Sequence, residues 1–172
     1  MERLKGNPGG WGLALGGAIG FLSIFFSWMT ITNTAANVSS SVPAFRAVSG
    51  QTLGFLALLV ALAGLGVSAS TGSGRIWYSL IGLLGAGVML AAGLLAIFSP
   101  TTIAQLFATT QTMSKLSITA VQDSINQSVK AGFADGTLTA SVGFGAILGV
   151  IGGVLGVLGG IFGFRKKRPA VD

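Results

Sequence analysis

Asp123 and Asp135 are the only carboxylates in the interior of this chain; the other two acids, Glu2 and Asp172, stand at its ends. A pair of carboxylates can do acid–base work or hold a cation when it converges with a third polar group. Here twelve residues separate the pair, and no histidine or cysteine exists anywhere to complete a metal site, act as a general base or supply a thiolate. Serine is plentiful, but a serine nucleophile needs an activating base, and Lys115 or Lys130 would have to be desolvated to serve. No Gly-Lys-Ser/Thr phosphate loop occurs either. The chemistry-bearing residues therefore predict no enzyme, no cofactor and no metal centre.

The elements that would position such residues are apolar. Of 172 residues 51% are hydrophobic and only 8% charged, against roughly 25% charged in soluble domains, so lipid is expected to solvate most of the chain. Between Lys5 and Arg46, Arg46 and Arg75, Arg75 and Lys115, and Asp135 and Arg165 there is no ionisable side chain. Each gap holds a run near the ~20 residues that cross a bilayer. These runs predict an all-α, polytopic membrane protein: four transmembrane helices over residues 11–31, 51–68, 76–98 and 138–164, forming one membrane domain over residues 1–172. Pro8, Pro43, Pro100 and Pro169 all fall outside the spans. The first span exceeds the ~7–15 apolar residues of a cleavable signal and is expected to be retained.

Orientation follows from the basic residues. Arg3, Lys5, Arg75, Arg165, Lys166, Lys167 and Arg168 are seven of the ten, all on one side of this layout, which predicts both termini in the cytoplasm of a bacterial plasma membrane. The terminal cluster Arg165, Lys166, Lys167 and Arg168 is suited to anionic lipid headgroups, and no nucleic-acid partner is expected. Trp28 at the outer end of the first span and Trp11, Trp77 and Tyr78 at inner ends read as interface anchors.

Glycine is the second signal, with 28 copies. In the fourth span Gly145, Gly149, Gly152, Gly153, Gly156 and Gly160 recur at three- and four-residue steps and make a smooth stripe. Small residues let membrane helices approach closely, where hydrophobicity gives no drive. Weaker stripes run through Gly12, Gly16 and Gly20, through Ala57, Ala61, Gly64 and Ser68, and through Gly82, Ala86 and Gly93. The stripe of the fourth span serves its own bundle or a helix of another protein.

Residues 32–50 read as a short outer loop rich in Ser, Thr and Asn. Residues 99–137 are too long for a structureless connection and read as an amphipathic helical cap. Helix starts at Ser99-Pro100 and at Thr119 with Gln122, and a stop at Asp135-Gly136, bound it. Leu106, Phe107, Val121, Ile125 and Val129 lie on its apolar side and are candidate partner contacts, docking on the bundle's outer mouth or on a neighbouring subunit.

The segment Ser27-Trp28-Met29-Thr30-Ile31-Thr32 that ends the first span resembles that of small four-span membrane proteins of actinobacteria. The resemblance implies an accessory part of an envelope or respiratory assembly and transfers no functional residue. Tetraspanins share the layout, but their cysteine motif has no counterpart here. The expectation is a non-catalytic structural or accessory subunit of a larger membrane complex, energy-converting or of the cell envelope, whose partners are other integral membrane subunits and lipids. Two alternatives stand beside it. One is a self-contained transporter, channel or small-molecule binder using Ser23, Ser27 and Thr30; the other is an adaptor or signalling protein read through the cap.

Overall fold

The computed structural model describes residues 7–113 and 119–164 of the chain. Four helices form an antiparallel bundle: α1 (Pro8–Ser23), α2 (Val48–Ala69), α3 (Ser73–Phe98) and, last in the chain, α6 (Phe144–Gly163). Neighbours around the ring are α1–α2, α2–α3, α3–α6 and α6–α1. Three helical segments, Ser49–Ala69, Ser73–Phe98 and Phe144–Gly163, are long and apolar enough to cross a membrane, which is compatible with an integral membrane protein. With 16 residues, α1 is shorter. The turn joining α2 to α3 and both ends of the described chain lie at one end of the bundle. There the Asn7 side-chain amide donates to the Val67 carbonyl at 3.3 Å, and Gly163 faces Ser79 and Val67.

The other end carries a cap. Strands β1 (Ser27–Asn33), β2 (Val38–Pro43) and β3 (Leu138–Val142) form an antiparallel sheet in the order β2-β1-β3, and helices α4 (Pro100–Met113) and α5 (Thr119–Ala134) accompany it. Met29 pairs with Val42 on one side and Val142 on the other; Asn33 pairs with Val38 and Leu138. The helical reading of residues 99–137 thus agrees with the two helices, and Gly136, at φ 78°, follows α5 in a conformation that favours glycine.

The all-α expectation is corrected by this sheet, and so are the bounds of two runs. Residues 11–31 do not form one helix: α1 stops at Ser23 and residues 27–31 are strand. Residues 138–142 are likewise strand, and α6 begins at Phe144. Residues 32–50 are not a plain loop, since they hold β2 and a 3-10 turn, Ala44–Arg46. The cause at the first site is visible. The last turn of α1 tightens, with Phe25 N–H donating to Leu22 at 3.2 Å and Phe26 N–H to Ser23 at 3.2 Å, as helix ends often do. Beyond it, Trp28, Thr30, Ile31 and Thr32 are aromatic or β-branched and fit a pleated surface. None of these residues is charged, so a charge-free run cannot tell strand from helix.

Candidate functional site

Backbone meets backbone along α1 and α6. A β-carbon placed on Gly16 would stand 2.6 Å from the Gly152 carbonyl oxygen, and one on Gly152 would stand 2.7 Å from that of Gly16. The other flank of α1 repeats this on α2, where a β-carbon on Gly17 would meet the Ala57 carbonyl and one on Gly64 the Gly10 carbonyl, both at 2.6 Å. Of the stripe on α6, Gly152 faces α1. Gly153, Gly156 and Gly160 face Leu90, Ala86 and Leu83 of α3, and Gly145 and Gly149 face Trp28. All six glycines are buried within the chain's own bundle. Leu13, Ala57, Val60, Val67, Ala86 and Met89 fill the space between the helices.

Trp28 is not an interface anchor. It is 2% exposed, its indole N–H donates to the Ser23 carbonyl at 2.9 Å, and its ring lies on Gly149, whose added β-carbon would be 2.9 Å away. The same carbonyl accepts the Phe26 N–H of the tightened last turn, and the indole adds a second bond to it, so the side chain caps the end of α1 from the strand that follows. Trp11, Trp77 and Tyr78 do stand exposed near the opposite end.

The polar side chains singled out for a binding role are engaged locally. Ser23 donates to the Gly20 carbonyl at 2.6 Å, and Ser27 to the Met29 carbonyl at 2.8 Å. Thr30 lies on the outward face of the sheet, where Ser41, Thr30 and Ser141 form one cross-strand row and Ser39, Thr32 and Thr139 the next. Among the described residues no three metal-ligating side chains come together, and the buried hydroxyl without a hydrogen-bond partner is that of Ser79, facing Gly163. Asp135 is exposed and holds the turn into β3: its Oδ1 accepts the Thr137 backbone N–H at 2.9 Å and hydroxyl at 2.7 Å. These bonds hold its carboxyl below the ordinary 3.8. Thr34 closes the same turn by donating its hydroxyl to the Gly136 carbonyl at 3.1 Å.

Of the candidate partner contacts, Leu106 is exposed and Val129 half-buried. Phe107, Val121 and Ile125 lie on α4 and α5, and their side chains fall outside what is described, as do Arg165, Lys166, Lys167 and Arg168 altogether. Packing of α4 on the end of the bundle that carries the sheet is visible at Ile103 and Ala104, which are buried with Ala96 of α3 and Met29 of β1.

One feature of the junction between bundle and cap escaped the sequence reading. Phe25 lies edge-on to Phe21, ring centroids 5.4 Å apart, and 5.7 Å from Phe45; Phe26 lies edge-on to Phe144 at 5.7 Å. Phe25, Phe26, Phe45 and Phe144 are nonetheless 52%, 47%, 38% and 58% exposed. The rings come from the end of α1, the 3-10 turn and the start of α6, so no local periodicity connects them. The alternation of Thr30-Ile31-Thr32 and Thr139-Ala140-Ser141 was a usable strand signal. No family model, curated protein or solved structure matches the chain.

Proposed function

We propose that this protein is a non-catalytic structural or accessory subunit of a larger membrane complex, energy-converting or of the cell envelope. In this reading all four bundle helices cross the bilayer, α1 being completed by the turn through Phe25 and Phe26. The end carrying Arg75 and the chain termini faces the cytoplasm of a bacterial plasma membrane, as the distribution of basic residues favours. The partners are other integral membrane subunits and lipid.

The observation that carries this reading is the filled axis of the bundle. Leu13, Val60 and Val67 are 0% exposed and Met89 is 3% exposed, helix backbones touch on both sides of α1, and α4 closes the outer end with Ile103 and Ala104. A pathway for ions or polar solutes needs polar or ionisable groups along its wall, and apolar side chains occupy that place here. A rigid body of this kind is suited to fill and brace an assembly.

The test is purification from native membranes in mild detergent with mass spectrometry of what co-elutes. Stoichiometric membrane subunits are expected. Recovery of the chain as a clean homomer that moves a solute across reconstituted vesicles would refute the reading.

A further inference from the structure

We infer that the phenylalanines at the junction of bundle and cap form a collar that seats the cap on the outer lipid leaflet, just inside the boundary between acyl chains and headgroups. This rests on the membrane reading above and goes beyond it by assigning a depth and a partner to one surface.

The sheet sets the limit from above. β2 is an edge strand, and an open edge exposes backbone N–H and C=O groups that hydrocarbon cannot satisfy. The boundary must therefore pass below β2. The outward face of the sheet agrees, since two of its cross-strand rows carry the hydroxyls of Thr30, Thr32, Ser39, Ser41, Thr139 and Ser141.

Helix length sets the limit from below. Trp77 and Phe98 mark opposite ends of α3, and at ~1.5 Å per residue about 30 Å of helix separates them, the thickness of a hydrocarbon core. Phe98 is 79% exposed, at the same end of the bundle as Phe26 and Phe144. The collar is thus the last apolar tier before the hydroxyl face.

Side-chain chemistry refines the depth. Tryptophan and tyrosine favour the interface because one end of the ring is polar; they mark the opposite end of the bundle as Trp11, Trp77 and Tyr78. A phenyl ring has no such handle and lies deeper among acyl chains. Arg46 follows Phe45 directly and is exposed, so its long stem can run beside the ring and carry the guanidinium up to lipid phosphate. A protein partner would cover the rings equally well, but it would not require the match between collar, edge strand and bilayer thickness.

The absence of native cysteine makes the test direct. Full-length Phe25→Cys, Phe45→Cys and Phe144→Cys chains are spin-labelled in phosphatidylcholine vesicles, with Ser40→Cys as a reference in water and Leu84→Cys as a reference at mid-span. Collisions with oxygen, which prefers lipid, and with a water-soluble nickel chelate are then measured. At the three collar positions oxygen collisions should exceed nickel collisions, and nickel access should be several-fold below that at Ser40. Nickel access equal to Ser40 would place the collar in water and overturn the inference, and exclusion of both reagents would assign the surface to protein instead. If Leu84 itself meets nickel freely, the membrane reading fails with it; if Leu84 is shielded and the collar is not, only the collar fails. The three positions lie on separate elements, so misfolding of one variant leaves two.

Discussion

Within the bundle, helices approach until main chain meets main chain, as Gly16 does with Gly152 and Gly17 with Ala57. Within the cap, large side chains fill the interior: Trp28, Met29 and Ile103 are buried there, with Phe133 packed against them, and the sheet supplies the hydrogen bonds. Under the proposed membrane placement the difference follows from solvent. In hydrocarbon an apolar side chain gains nothing by turning inward, so close van der Waals contact over small residues is what holds helices together. Where water is near, burying a large apolar side chain is itself stabilising by about 1.5–3 kcal/mol. The two regions should accordingly fail in different ways when altered.

The strongest challenge to the comparison is Gly152→Leu or Gly16→Leu. The wall at each site is a carbonyl group of the facing helix, which cannot move aside as a flexible side chain can. The cost should exceed the ~1–3 kcal/mol usual for overpacking, and thermal unfolding in detergent should find no folded monodisperse chain. Gly87→Leu is the matched control. Nothing lies within 4 Å of a β-carbon there, and stability should stay within about 0.5 kcal/mol of the parent. Leucine is the better helix former, so equal damage from both would mean that the cost comes from adding a large side chain anywhere on these helices and not from contact between backbones.

Trp28→Ala comes next. It empties the space over Gly149 and removes the donor to Ser23, and loss of about 3–5 kcal/mol is expected, read as earlier melting of the sheet by hydrogen exchange. Trp28→Phe keeps most of the volume and should cost only about 1 kcal/mol for the missing hydrogen bond. Similar losses for the two would assign the role of Trp28 to its indole N–H.

Smaller effects belong to the exposed turn. Thr34→Val removes the hydroxyl that reaches Gly136 and Thr137 and should cost about 0.5–1 kcal/mol, seen as faster exchange at Thr34 and Thr137 with the bundle unchanged. The least effect is that of pH. Because its bonds to Thr137 lower the Asp135 pKa from 3.8 in the folded chain, the stabilisation is fully present above that value. It is lost as pH falls through the lower folded value. The Thr137 amide resonance should follow this titration below about pH 3.8, and in Asp135→Asn it should not move.

The two regions also differed in legibility. Charge gaps located α2 and α3 closely, at residues 51–68 and 76–98 against Val48–Ala69 and Ser73–Phe98, because those helices are apolar on every face. The spacing of small residues marked the buried sides of α1, α2 and α6, since a 3.6-residue period places such residues on one line. The same hydropathy misled at both ends of the cap sheet. Ser27–Asn33 and Leu138–Val142 adjoin apolar helices and pass for their continuation. What makes them strands is mutual pairing across more than a hundred residues of chain, Asn33 with Leu138 and Met29 with Val142.

Sequence alone determined the mostly helical, apolar character of the chain, including helices long enough to cross a membrane: few charges, long apolar runs and small residues in helical register are local properties that any window of the chain displays. Tertiary structure decided where α1 stops, which neighbour each glycine faces, that Trp28 is a buried cap and not an anchor, and that phenylalanines from three separate segments share one level. Those outcomes depend on contacts between residues remote in sequence, and no periodicity within a single segment encodes them.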